Sequence, residues 1–545
     1  MELKERTRVF KEKLGSVIIA GRKKPEILVI YLMCSFLLVF SAVCIFTAFN
    51  LTFHSDSAAS NILAREQFVQ KSFFPSTWKN STGIFIFYVN VFMTPLFGFI
   101  KDQMLLRDIG ILFMVLIMYG CIFYLFKFSL NSDSFLLVFC FFNINICYEF
   151  VQCLFQQACY TPNVIHNICY ILLLTKIFDE NFHIKNKIYF GFWVLFTIYL
   201  SVYGTLGIVY TVFPGVIGMI FPFIINNLDK NLGECKKKIF AIFRILCVLL
   251  FSCVLGFLLY CKLADFYNFK SEVNVVFPAF NELANAFVSF LLSSIGYTSD
   301  VNLFSLSGLI NIITVCFHIL LVILTFKFYQ KLSKYSFPVQ ILGGFAFAIF
   351  GIYIFFDFFI YCIGDSYRYT VMPLVFLYII SAYYIWEEIF KKGFLAKCIV
   401  IISIGIVCLP SNLAMIPQIL EYPVLIEQKK GLANFLVRNH LERGYATFWN
   451  AGNNMVLSDF DVEIAPIGLN SDQLIRYEWL TSTRYYEDKM NADKSFLLLT
   501  NEEYYEVCEN NSIRRLGVPD QVLQFEEYLI LTYSYNIAQN NFFGK

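Results

Sequence analysis

The sequence predicts a polytopic α-helical membrane protein of about 11 transmembrane helices, followed by a small α/β domain. Three observations carry this reading. Hydrophobic residues make up 58% of the 545 residues and charged residues only 15%, with a mean hydropathy of +0.63, whereas soluble domains run at about 45–50% apolar and about 25% charged. The apolar excess falls in nearly charge-free blocks of about 18–25 residues, each long enough to cross a ~30 Å hydrocarbon core as a helix. After Ala414 the composition changes, and alternating helical and strand-like periodicity takes over.

Residues 1–26 form a cytosolic segment with eight Lys/Arg, among them Arg22, Lys23 and Lys24. The first apolar block starts near Ile27, is too long for a signal-peptide core and lacks a small-residue cleavage site. Membrane helices are expected at 27–49, 108–128, 134–153, 165–179, 188–204, 206–226, 239–261, 303–326, 337–360, 371–387 and 393–414. The block 82–100 is also apolar but carries Asn90, Pro95 and Gly98. Counting it as a span would reverse every later loop and put Lys236–Lys238 outside, against the bias of Lys and Arg toward the cytosol. It is therefore expected as a helix on the outer face, beside a cavity. Lys185, Lys187, Lys236–Lys238, Lys331, Lys334, Lys391 and Lys392 then all fall in cytosolic loops. The outer loops at 50–107 and 262–302 are long.

The last region, 415–545, is expected to be an extracytoplasmic α/β domain. It has helical periodicity at 431–440, strands at Tyr445–Trp449, Val462–Ile467, Phe496–Thr500 and Tyr528–Tyr533, and an acidic segment at 502–509. Sixteen of the 17 cysteines lie between Cys34 and Cys408, mostly inside apolar blocks, and read as small membrane-core residues rather than as a disulfide or metal framework. No phosphate-binding loop and no GxGxxG occurs, and nothing points to nucleic acid.

The sharpest local feature is His54-Ser55-Asp56-Ser57-Ala58, just past the first helix. A carboxylate at the membrane interface suits a general base acting on a hydroxyl. The alternative is that Asp56 caps the helix predicted over 58–70; the two readings are compatible. Glu149 and Asp357 sit near outer helix ends, where an ionisable group is costly without a use or a partner. Arg368, in Asp365-Ser-Tyr-Arg-Tyr, is placed either to bind phosphate or to anchor the interface between Tyr367 and Tyr369. His318, mid-span, reads as a hydrogen-bonded packing residue, and Lys236–Lys238 as a topology signal contacting anionic lipid.

The order of interfacial acid, short helix, Phe73-Phe74-Pro75-Ser76-Thr77-Trp78-Lys79, apolar block, Lys101-Asp102 and Arg107-Asp108 resembles the first outer loop of the GT-C superfamily. These are membrane glycosyltransferases that take sugars from polyprenyl-phosphate carriers, in the bacterial type with an outer C-terminal domain to which Gly444-Tyr-Ala-Thr-Phe-Trp-Asn is similar. As topology the resemblance spans most of the chain; as motif it spans residues 50–110 and the loop near Arg368. It implies a GT-C-like module over 27–414 in the cell membrane, moving a monosaccharide from a polyprenyl-phosphate donor to a cell-surface polysaccharide or lipid-linked acceptor. Asp56 occupies the position of the family's essential acid. Arg368 would face the lipid phosphate, and Arg65, Glu66, His54, Trp78, Glu149 and Tyr160 would supply the remaining donor and substrate contacts. The second outer loop, Leu154–Asn163, carries no acid, which speaks against en-bloc oligosaccharide transfer and leaves the need for a divalent cation (Mg or Mn) open. The rival classes are a transporter or flippase of lipid-linked glycan, and a non-catalytic glycan-assembly protein. Repeats and midplane charges, which transporters show, are absent from the sequence pattern.

Overall fold

The computed structural model describes residues 25–81, 84, 86–144, 148–227, 232–267, 301–302, 304–355, 370–469, 474–486, 494–509, 516–539 and 543–544, with Val288 and Leu292. Each of the eleven apolar segments carries helix. These are α1 (Pro25–Ile45), α4 (Gln103–Tyr124), α5 (Phe135–Phe142) with α6 (Tyr148–Val151), α7 (Thr161–Ile177), α8 (Lys187–Val202), α9 (Phe213–Asn227), α10 (Leu232–Tyr267), α11 (Leu306–Lys331), α12 (Phe337–Ile352), α13 (Val371–Tyr384) and α14 (Phe394–Leu413). Among the described residues eight of these stretches, at α1, α4 and α9–α14, are long and apolar enough to cross a membrane. The 16 residues of α8 make about 24 Å of helix, short of a ~30 Å core. The chain is a multi-pass membrane protein.

Its outward faces show the inversion that a lipid environment demands. On α1, Leu32, Phe36, Val39 and Val43 are exposed while Ile30, Cys34, Leu37, Ser41 and Cys44 are buried. Polar groups turn inward and pair, because an unpartnered donor in hydrocarbon is costly. Thr325 bonds Ser381 at 3.1 Å and Asn226 bonds Gln340 at 2.8 Å. His318 is the packing residue that its position predicted. Its Nδ1 donates to the Thr314 carbonyl at 2.9 Å, and its Nε2 accepts from the Tyr378 hydroxyl at 2.8 Å.

Between α1 and α4 the chain forms α2 (Ser55–Gln70), the two-residue strand β1 (Trp78–Lys79) and α3 (Asn90–Met93), which runs on as a 3-10 turn over Thr94–Leu96. The block 82–100 is thus corrected: among its described residues the helix is short, not continuous. Pro95 stands where a longer helix would need a donor. Asp357 and the loop 262–302, apart from Val288, Leu292 and short flanks, lie outside the described residues.

After α14 come α15 (Ile416–Lys429) and α16 (Gly431–Arg438), then β2 (Arg443–Thr447), α17 (Phe448–Leu457), β3 (Glu463–Leu469), β4 (Leu474–Arg476), β5 (Thr481–Ser482), β6 (Ser495–Thr500), α18 (Asn501–Glu509), β7 (Gln521–Phe525), β8 (Tyr528–Tyr533) and β9 (Phe543–Gly544). Seven of the strands make one mixed sheet in the order β7-β8-β6-β2-β3-β4-β9. At its centre β2 runs parallel to both β3 and β6. A parallel pair needs a crossover, and α17 supplies it between β2 and β3. The first expected strand is shorter than its apolar run: Phe448 and Trp449 belong to α17, not to the sheet. Among the described residues before α15, β1 is the one strand that joins a sheet. It pairs antiparallel with β5, Trp78 opposite Ser482 and Lys79 opposite Thr481.

Candidate active site

The site is built at the start of α2. After a 3-10 turn at Ala48–Thr52 the chain extends through His54 (φ −148°, ψ 180°), which is the N-cap. Asp56 therefore lies inside the first turn, not at the capping position, and the His54 side chain makes no capping hydrogen bond. That corrects the capping alternative and leaves a half-buried carboxylate at the positive end of a helix. The helix is itself interior, with Ser57, Ala58, Asn61, Ile62 and Ala64 all nearly inaccessible. Its early side chains are fixed to three other elements. The Ser55 hydroxyl donates to the Trp449 carbonyl at 2.9 Å. Ser57 bonds Gln156 at 3.2 Å, and the Asn61 amide donates to the Gln103 carbonyl at 2.8 Å.

A polar cluster faces this turn. Gln152 and Gln156 lie on a π-helical turn that continues α6, and Gln152 sits 2.7 Å from His54 Nε2. The Arg107 guanidinium, from the second turn of α4, is 1% exposed. It donates to Asn50 Oδ1 at 3.1 Å and to the Gln156 carbonyl, lies 5.0 Å from the centre of the Phe53 ring, and is 3.8 Å from Asp108. Asn50 in turn donates to Asp108 at 2.7 Å, so a buried guanidinium and a buried carboxyl group are bridged by one amide. From α15, Lys429 donates to the Leu51 carbonyl at 3.0 Å. Burial, and then the positive charges of Arg107 and Lys429, hold the His54 imidazole down to about 4, so it is neutral at neutral pH. Its buried Nδ1 has no hydrogen-bond partner among the described residues. The Tyr88 hydroxyl is held well above its ordinary range, first by burial and then by the nearby Cys159 and Asp56, against an opposing pull from Arg107. Asp56 and Arg107 thus both lie within electrostatic reach of Tyr88.

The predicted site residues divide. Asp56 and His54 are in the cluster. Tyr160, which precedes α7, hydrogen-bonds the Cys153 carbonyl through its N–H at 3.1 Å and so borders the same π-helical turn. Glu149 falls on α6 directly before that turn. Arg368 lies outside the described residues.

Arg65, Glu66 and Trp78 are engaged elsewhere. Arg65 pairs with Glu463 at 2.6 Å and stacks 4.6 Å from the Phe460 ring centre. Glu66 is wholly buried, bonded by Arg484 at 2.8 Å, Gln70 at 2.9 Å and Ser482 at 3.1 Å. Trp78 is buried beside β5 and donates to Asn80 at 3.1 Å. These three join the first long loop to the C-terminal region. Sequence reasoning did not assign Asn50, Tyr88, Gln152, Gln156 or Lys429 to the site. The signal for Arg107 and Asp108 was present, as adjacent charges entering an apolar block. Among the described residues no three His, Cys, Asp or Glu side chains gather as a metal set.

Fold and cluster together define a class: a multi-pass helical membrane protein with a C-terminal sheet domain and a polar cluster at the start of α2. Two solved structures share that fold, both of ArnT from Cupriavidus metallidurans. The apo form superposes with a TM-score of 0.53 at 10% identity, over 91% of this chain and 97% of that one. The form bound to undecaprenyl phosphate gives 0.51 at 10% identity, over 94% and 99%. At such identity the likeness is one of fold. No family model and no curated protein matches the sequence.

Proposed function

We propose that the chain is a membrane glycosyltransferase that moves a monosaccharide from a polyprenyl-phosphate carrier to a glycan or lipid-linked acceptor on the outer face of the cell membrane. The observation that carries this is the placement of Asp56: a half-buried carboxylate on the first turn of α2, soon after the first membrane helix, at a cluster that holds neutral amides, a neutral imidazole and a buried guanidinium. The likeness to a fold seen with undecaprenyl phosphate supports the choice of carrier.

In this reading the Asp56 carboxylate takes the proton of the acceptor hydroxyl as that oxygen bonds to the anomeric carbon. The bond from that carbon to the phosphate oxygen breaks, its electron pair leaves with the polyprenyl phosphate, and the anomeric configuration inverts. A phosphate leaving group needs no protonation, so one base and one source of positive charge suffice. Arg107 supplies a fixed positive field beside the base. Arg368 is proposed, from its sequence position, as the contact to the leaving phosphate. Arg65 and Glu66 are reassigned from substrate binding to holding the C-terminal region. The N-terminus is taken as cytosolic and the C-terminal domain as extracytoplasmic.

The test is incubation of purified protein with a panel of polyprenyl-phosphate monosaccharides and measurement of released polyprenyl phosphate. Release from at least one donor, dependent on an added glycan or lipid-linked acceptor, is expected. Intact donors throughout the panel would refute the reading.

A further inference from the structure

At the start of α2, beside His54, lies a row of aromatic rings that the proposed chemistry does not use. Helix α17 packs against α2 so closely that a Cβ on Gly452 would lie 3.3 Å from Ile62, 3.6 Å from Ala58 and 3.7 Å from Ser55. That contact fixes where the first turn of α17 points. Trp449, one turn before Gly452, lies at the start of α2, its carbonyl held by Ser55. Its ring centre is 6.1 Å from that of His54, two residues from Asp56. Phe448 meets Trp449 edge-on at 5.3 Å, and Tyr477 lies 5.7 Å beyond Phe448. Trp449 nevertheless remains 59% exposed and Tyr477 39%.

The surrounding side chains are short and mostly neutral hydrogen-bonding groups. Asn450 donates to Thr447 at 3.2 Å, and Thr447 to Glu503 at 2.7 Å. The Asn453 carbonyl oxygen stands 3.5 Å from the Ser55 hydroxyl. Exposed ring faces bordered by amides and hydroxyls suit one chemistry well. The C–H face of a pyranose carries partial positive charge, which the negative face of an aromatic ring attracts, while its hydroxyls take the amide and hydroxyl partners at the edge.

We propose that Trp449, Phe448 and Tyr477 form a stacking platform for the acceptor, which is thereby a pyranose-containing glycan, and that the C-terminal domain serves to present that glycan's hydroxyl to Asp56. The proposal rests on the glycosyltransferase reading for its purpose, but its binding step is measured without any donor. The competing explanation of an exposed tryptophan in a membrane protein is an interfacial anchor.

Full-length protein in lipid nanodiscs is titrated with cellotetraose, chitotetraose, maltotetraose and mannotetraose, with binding read by saturation-transfer NMR. At least one is expected to bind, Trp449→Ala to weaken it about tenfold, and Trp449→Phe, which keeps a ring, to retain most of it. Because Trp449 is exposed, both variants are expected to fold, and melting temperature checks this. Absence of binding by all four, or equal binding by Trp449→Ala, overturns the platform. A Trp449→Ala protein that is lost from nanodiscs but binds glycan normally identifies an anchor and overturns it too. Donor turnover is scored separately. Release of polyprenyl phosphate without glycan binding at Trp449 removes only the platform. Binding through Trp449 with no release from any donor removes only the transferase reading.

Discussion

His54 is a half-buried imidazole near two cations, and its protonation is therefore tied to folding. Its value in the folded chain is held down to about 4, from an ordinary 6.5. Between these values the unfolded chain binds a proton that the folded chain refuses. Stability from this group is complete above pH 6.5 and is lost as pH falls toward 4, by at most about 3–4 kcal/mol. The melting temperature of detergent-solubilised protein should drop over that window, and His54→Asn should flatten the drop; equal slopes in parent and variant would contradict the assignment. At this scale the sequence showed Asp56 and His54, because a charge and an imidazole beside a membrane helix stand out against apolar neighbours. It did not show the ion pairs of Arg65 and Glu66, because their partners Glu463 and Arg484 lie about 400 residues away and no local pattern announces a long-range pair.

At the scale of elements, α2 is the piece on which the site depends, and its far end is locked by that ion-pair network. Glu66 is fully buried, so Glu66→Ala strands the Arg484 guanidinium, which keeps only Glu463 at 3.9 Å. Loss of one partner of a buried pair costs on the order of 3 kcal/mol. A double-mutant cycle of Glu66→Ala with Arg484→Ala, followed by thermal unfolding, should show the second change costing much less once the first is made; strict additivity would show that the pair is not coupled. A bulky side chain at Gly452 should separate α17 from α2. Gly452→Leu is expected to lower stability and to expose the 440s to limited proteolysis, whereas Gly452→Ala, at ordinary contact distances, should be mild.

Elements with long apolar or alternating runs were legible: a helix in each of the eleven apolar segments, eight of them long enough to span among the described residues, and strands β2, β3, β6 and β8. Helix α15 was not read, since Pro417 and Pro423 interrupt its pattern. Nor were β4, β5 and β9, which are two or three residues long and owe their pairing to neighbours.

For the whole molecule, two claims remain to be measured. The first is orientation. Val518, 91% exposed in the C-terminal region, should react with a membrane-impermeant maleimide in intact cells once changed to cysteine (Val518→Cys), while Lys391→Cys should react only after permeabilisation. The reverse pattern would turn the chain over and put Asp56 on the wrong side.

The second is catalysis by Asp56, and the most direct measurement is the rate of polyprenyl phosphate release by Asp56→Asn against the parent, at matched expression and melting temperature. Asn preserves the shape of the side chain and forfeits only its charge at the helix start, worth about 0.3–1 kcal/mol of stability, so the protein should fold. Removal of a general base predicts a rate lower by ~10²–10⁴-fold. A folded Asp56→Asn protein that releases polyprenyl phosphate at the parental rate would contradict the account.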